Sequence, residues 1–221
     1  MGFLVVAAGV SILTTIGIVV SLLLPAIQFF REVSITEFLT GTSWTPRFQD
    51  PTFGVLPLIT GTMWTTAIAL SVSIPIGLGA AIYLSEYAST RTRKVFKPTL
   101  ELLAGVPSVV YGLFAVTFVG PVVLKEWLGI EVATFSVLAA GLVLGVMIIP
   151  TVASLAEDAM SAVPRALREA SYGLGANRMR TVLRVVFPAA VSGIAAAIVL
   201  GLSRAVGETM IVAMAAGSQA K

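Results

Sequence analysis

The sequence predicts an all-α integral membrane protein, and three observations carry that prediction. Residues 2–30, 54–85 and 132–156 contain no Asp, Glu, Lys or Arg, and each run exceeds the roughly 20 apolar residues a helix needs to cross a bilayer core. The whole chain is 57% hydrophobic and 11% charged, against about 25% charged for a soluble domain. The basic residues gather in two short segments between apolar runs. One holds Arg91, Arg93, Lys94 and Lys97, the other Arg165, Arg168, Arg178, Arg180 and Arg184. A net charge of +3 distributed in this way describes membrane topology, not a nucleic-acid surface.

The elements follow in order. Residues 2–30 lack the basic start and short apolar stretch of a signal peptide, so they are expected to form a retained first helix, bent or ended by Pro25. Residues 31–53, with Trp44, Pro46, Asp50 and Pro51, are expected to form an external loop. A second span is predicted over residues 59–83, where Pro75, Gly77 and Gly79 are tolerable because neighbouring helices satisfy freed carbonyls. Residues 86–97 are the first cytoplasmic loop. The third span is predicted over residues 102–124, with Gly105, Pro107, Ser108 and Gly112 permitting a kink or close approach. Residues 125–131 make a short outer turn, and residues 132–156 a fourth span containing Gly141, Gly145 and Pro150. A fifth is expected from Pro188 to about residue 216. The inner loops hold the two basic groups named above, and the outer ones only Arg31, Arg47 and Lys125. That bias puts the N-terminus in the cytoplasm and residues 218–221 outside. No linker or repeat divides the chain, so residues 1–221 are expected to form one domain.

The segment 157–188 has an internal pattern of its own. Pro164 can open a helix, since the first turn does not need its N–H. Val163, Leu167, Ala170 and Leu174 recur at helical spacing, and Gly173 and Gly175 suit the helix end. Asn177 can cap a second helix through Met179, Val182, Leu183 and Val186, ending near Pro188. An amphipathic connector without a partner is the alternative, but connectors between helices usually run only about 2–8 residues.

This pattern resembles the EAA loop of ABC importer permeases, written E-A-A, three residues, G, nine residues, I-x-L-P. Glu169, Ala170 and Ser171 stand for E-A-A, with Ser in place of the second Ala. Gly175 falls on the glycine, and Val185, Val186, Phe187 and Pro188 stand for I-x-L-P. The resemblance implies an ABC importer permease core with a cytoplasmic coupling-helix loop at 157–188. Glu169, Ala170, Ser171, Gly175 and Arg178 would then couple to an ATPase subunit. Such cores normally have six transmembrane helices, so with five transmembrane helices present the sixth is expected to be missing from this chain. Two further stretches, ELLAGVPSVVYGLF at 101–114 and GLSRAVGETM at 201–210, look like phosphate-specific ABC importer permeases. The continuation GETMIV at 207–212 and the stretch 29–46 look like the PstC type rather than its PstA-type sister. The resemblance implies a multi-pass protein of the bacterial inner membrane. Its partners would be a PstA-type sister permease, two ATPase subunits and an extracytoplasmic phosphate-binding protein, within the lipid bilayer and without nucleic acid. ATP and Mg would be held by the ATPase subunits, with no cofactor in this chain.

Composition narrows the alternatives. The chain has no Cys and no His, which removes thiol chemistry, disulfides and the commonest transition-metal ligand. No metal site and no catalytic residue is therefore predicted. No P-loop glycine pattern is present, so ATP hydrolysis is not expected in this chain. A permease for molybdate, tungstate or sulfate remains open. A secondary transporter or channel would carry carboxylates within several spans, and the first four predicted spans carry none between their ends. A membrane enzyme is disfavoured by the missing His and Cys.

Arg204 and Glu208 are the only charges inside a predicted span. Placing such a residue at mid-bilayer costs about 2.5–3.5 kcal/mol on insertion scales, so it usually faces a polar interior. Four residues apart, they are expected on one helical face, with Arg204 roughly 24 Å beyond Pro188 at 1.5 Å per residue. Gly201 and Gly207 leave room beside them. On the phosphate reading, Arg204 offers its planar fork to a passing anion. Glu208 holds Arg204 between passages and accepts a hydrogen bond from a protonated phosphate, which sulfate lacks. The structural alternative is a neutralised pair that fixes helix packing.

Overall fold

A computed structural model describes residues 2–46, 48 and 50–217. Arg47 and the predicted outer end at 218–221 lie outside the described residues. The described regular structure is helical, apart from one isolated antiparallel bridge between Trp44 and Phe53. Four helices are long and apolar enough to cross a membrane, or five if one bent pair counts as a span, in line with the five spans expected. The described residues divide into two compact units, one up to Thr60 and one from Gly61 to Gly217.

In the first unit, α1 (Gly2–Glu32) buries no side chain, which leaves its apolar surface to hydrocarbon or another protein. Pro25 neither ends it nor interrupts it before Glu32, since apolar residues on both sides sustain a helix at the cost of one freed carbonyl. The predicted external loop is partly ordered into α2 (Ile35–Thr40). Phe29, Phe30, Phe38, Phe53 and Trp44 pack edge to face around it.

In the second unit the core is built on small residues. The part of α3 (Leu56–Tyr87) that lies in this unit, from Gly61 on, buries Thr65, Ala69, Ser73, Gly77 and Ala81, one every fourth position. That spacing puts a smooth ridge along one face, and it packs against α6 (Val137–Ser161), the most buried of the long helices. At Gly145 a Cβ would sit 2.9 Å from the Ala69 carbonyl oxygen, so the two backbones approach at a distance only glycine permits. The other side of α6 receives α9 (Val191–Gly207) through Ile194, Ala197, Gly201 and Ala205.

Several predicted boundaries move. Residues 90–97 are not loop but the start of α4 (Thr90–Ala104), which Ser89 caps by accepting the Thr92 N–H at 3.1 Å. The third span does not begin at Leu102, which belongs to α4. The chain breaks at residues 105–107 and restarts as α5 (Ser108–Trp127), wound into wide π-type turns from Ala115 onward. The fourth span lies further along than predicted. Ser136 caps α6, and Glu157 and Asp158 sit inside its last turns instead of in the basic loop. α7 (Arg165–Gly173) follows, then α8 (Arg178–Ala189). The fifth span is not one rod: α8 and α9 meet at 73°, and α9 stops at Gly207, ahead of a short turn α10 (Val212–Ala216).

Candidate translocation and coupling sites

At the break between α4 and α5 two side chains bond the last carbonyls of α4, that of Leu103, which also accepts the Val106 N–H, and that of Ala104. The Tyr111 hydroxyl donates to the Leu103 oxygen at 3.2 Å. Arg204, half-buried on α9, donates one Nη to the Ala104 oxygen and the other to Thr151 Oγ1 on α6, both at 3.1 Å. A cation at a helix C-terminus is favoured by the helix dipole as well as by the hydrogen bond. Arg204 forms no ion pair with any described residue. Its guanidinium is held by neutral acceptors.

Glu208 is placed differently from expectation. A same-face pair needs the helix to run through position 208, but the backbone leaves the helix at Glu208, which is extended with ψ 113°. Its Oε1 accepts from the Met210 N–H at 3.0 Å and the Ile211 N–H at 3.3 Å. Glu208 therefore caps the next helical turn, and the predicted contact holding Arg204 is not formed.

The second site gathers where α3, α4, α6, α7 and α8 end or begin. Arg168 on α7 donates to the Glu86 carboxylate through Nε at 3.1 Å and Nη2 at 2.7 Å, and to the carbonyls of Met160 and Val163. With side chains 15% and 4% exposed, Arg168 and Glu86 form a buried pair that ties α7 to the end of α3. Glu157 is fully buried and is bound by Arg93, by Lys97 at 2.9 Å and by Ser161 at 2.8 Å. Lys97 also pairs with Asp158. Burial draws the Lys97 pKa down, but hydrogen bonds to Asp158 and Glu157 and their negative charges outweigh it, leaving the ammonium raised above its ordinary range.

The EAA-type residues occupy the helix–turn–helix the sequence predicted. Pro164 precedes α7, and Asn177 caps α8 by accepting the Arg180 N–H at 2.8 Å. Gly175 makes the turn at φ +79°, a left-handed conformation that disfavours side chains. Ser171 shares a 2.9 Å hydrogen bond with Thr181, joining α7 to α8. The Arg178 guanidinium lies 5.0 Å over the Tyr87 ring. Glu169 and Ala170 are exposed, and neighbouring Leu174 is 90% exposed. Sequence reasoning missed Thr151, Tyr111, Glu86 and the Glu157 cluster. The one available signal for that cluster was paired four-residue spacing, Arg93 with Lys97 and Glu157 with Ser161, at the ends of two apolar runs.

Comparison with known proteins agrees with this architecture. Residues 73–220 match the family described as binding-protein-dependent transport system inner membrane component. The chain is 39% identical over 217 residues to the probable ABC transporter permease protein YqgH of Bacillus subtilis, covering 97% of this chain and 68% of that protein. It is 33% identical over 230 residues to the phosphate transport system permease protein PstC of Mesorhizobium japonicum, covering 96% and 69%. It is 38% identical over 213 residues to PstC 1 of Mycobacterium tuberculosis, covering 82% and 63%. Among solved structures, an inward-facing MetNI methionine ABC transporter superposes with a TM-score of 0.57 at 24% identity, covering 72% of this chain and 75% of that one. The helical architecture and the family match agree, and the chain belongs to the inner membrane components of binding-protein-dependent transport systems, as a multi-pass permease.

Proposed function

We propose that this permease carries inorganic phosphate in an ATP-driven importer, forming the path with a PstA-type sister permease. Two ATPase subunits, which hold ATP and Mg, and an extracytoplasmic phosphate-binding protein complete the assembly. The observation that carries the reading is Arg204, a charged guanidinium within the helical core, supported by neutral acceptors and paired with no described carboxylate. An arginine fork matches phosphate oxygens in a bidentate way. The relatives named PstC support phosphate over other oxyanions. Glu208 stands four residues on and uses only Oε1 in capping. On this reading Oε2 accepts a hydrogen bond from the P–OH group that phosphate carries and sulfate lacks.

The basic segments bearing Arg91 and Arg180 lie in the cytoplasm on this reading, as does the N-terminus. Glu169, Ala170, Ser171, Gly175 and Arg178 are then the residues through which an ATPase subunit moves the helices. ATP binding opens the path outward, hydrolysis resets it, and this chain makes or breaks no covalent bond.

The test is ATP-dependent uptake of labelled phosphate by the assembled importer in vesicles. Arg204→Gln should leave assembly and ATPase docking intact and abolish uptake. Arg204→Lys, which keeps the charge but loses the fork, should transport poorly. Near-normal uptake by Arg204→Gln in an assembled complex would refute the path role.

A further inference from the structure

A cavity of about 370 Å³ opens between the ends of α3, α4 and α6 and the faces of α7 and α8. Its wall includes Arg93, Arg165, Arg168, Arg178, Glu169 and Tyr172. The volume is at the lower end of the roughly 300–1,000 Å³ range of small-molecule sites. Two of its four arginines are already neutralised, Arg168 by Glu86 and Arg93 by Glu157. Arg165 and Arg178 pair with no described carboxylate. Arg178 is held from one side by the Tyr87 ring, which leaves its N–H edge available. The cavity is also lined by Glu86, which Arg168 engages, so it presents two unneutralised forks against one unpaired carboxylate, Glu169.

We propose that this cavity binds inorganic phosphate, as the singly protonated dianion, through Arg165 and Arg178. Two guanidinium groups suit the oxygens of a phosphate dianion. Glu169 selects among anions, because a carboxylate on the wall repels a fully ionised sulfate but accepts a hydrogen bond from a protonated phosphate. A lipid phosphodiester has no proton to give and meets the same repulsion. The site is separate from Arg204, and it is built on the α7–α8 turn, so an occupant there bridges the two helices across Gly175.

The experiment is hydrogen exchange on the fully assembled importer in phosphatidylcholine nanodiscs, where both faces are accessible. Peptides covering 165–178 are followed during titration with inorganic phosphate, with sulfate, and in nanodiscs containing phosphatidylglycerol. Saturable slowing by phosphate, weaker with sulfate at equal ionic strength, is expected. Arg165→Gln, at an exposed residue that forms no ion pair or hydrogen bond with the described residues and so should not affect folding, should weaken the apparent affinity about 10–100-fold, in line with one charged hydrogen-bonding group. Arg165→Gln/Arg178→Gln should remove the response, whereas Arg204→Gln should retain it. Unchanged protection in the double variant would overturn the proposal. So would equal protection by sulfate, protection only from phosphatidylglycerol, or loss of the response in Arg204→Gln, which would put the binding in the path. Absence of any phosphate response in the assembled importer would overturn it as well.

Discussion

Arg168→Ala should release α7 from the rest of the molecule. Arg168 joins α7 to α3 and to the end of α6 at once, through Glu86 and the carbonyls of Met160 and Val163. Truncation leaves Glu86, 4% exposed, as an uncompensated charge. Removing one partner of a buried pair costs about 3–5 kcal/mol. The exposed face of α7 adds little packing to offset that, so the loss falls on the local opening of α7. At about 1.4 kcal/mol per tenfold change, exchange protection across 165–173 should drop by roughly two to three and a half decades. Hydrogen exchange of the purified complex reads this directly, with α6 peptides as the internal reference. A second variant separates charge from packing. Glu86→Leu/Arg168→Met removes both charges and keeps apolar bulk, so it should recover much of the protection, since replacing a whole buried pair is often near neutral. Protection of α7 that is unchanged in Arg168→Ala would refute the account, and so would a double variant as labile as the single one.

Three further outcomes follow from the same structure. Lys97 has a raised pKa, so its contribution to stability is complete below the unfolded lysine value of about 10.4 and is lost as pH rises through the higher folded value. Lys97→Met should flatten that alkaline loss in thermal unfolding of the complex, and an identical pH profile would contradict the pairing. Gly175→Val puts a β-branched residue at φ +79°, where a Cβ would touch nothing, so the cost is purely conformational, on the order of 1–3 kcal/mol. Substrate-stimulated ATP turnover should fall, and normal turnover would show that the turn is not part of the coupling. Finally, single cysteines at Thr92, Asn177 and Thr42, in a chain with no native Cys, should react with an impermeant thiol reagent on intact cells only at Thr42→Cys. External labelling of Asn177→Cys would invert the topology.

Sequence periodicity reached some features of this fold and not others, for physical reasons. Apolar run length reports burial from water, so every spanning element was legible. Turn chemistry is local, so the α7–α8 unit, with Pro164, Gly175 and Asn177 in their expected places, was legible to within a residue or two. Boundaries at the membrane surface were not, because there a charge can be buried when another helix neutralises it. Glu157 ends an apolar run in the sequence, yet α6 continues through it because Arg93 and Lys97 arrive from α4. The same limit explains Arg204 and Glu208. Four-residue spacing predicts a contact only while the helix persists, and nothing local separates a Gly207 inside a helix from one at its end. The partners Arg204 does find, Thr151 and the Ala104 carbonyl, are 53 and 100 residues away in sequence. They exist only because α4 breaks at residues 105–107 beside α6. A break that frees carbonyls within the core of a membrane protein must be satisfied by side chains or line a polar cavity. Here the Leu103 oxygen accepts the Val106 N–H as well as the Tyr111 hydroxyl, and Arg204 satisfies the Ala104 carbonyl. Arg204 is therefore placed by the broken helix rather than by its acidic neighbour, and its position should tolerate loss of Glu208 while depending on the carbonyls that α4 leaves free.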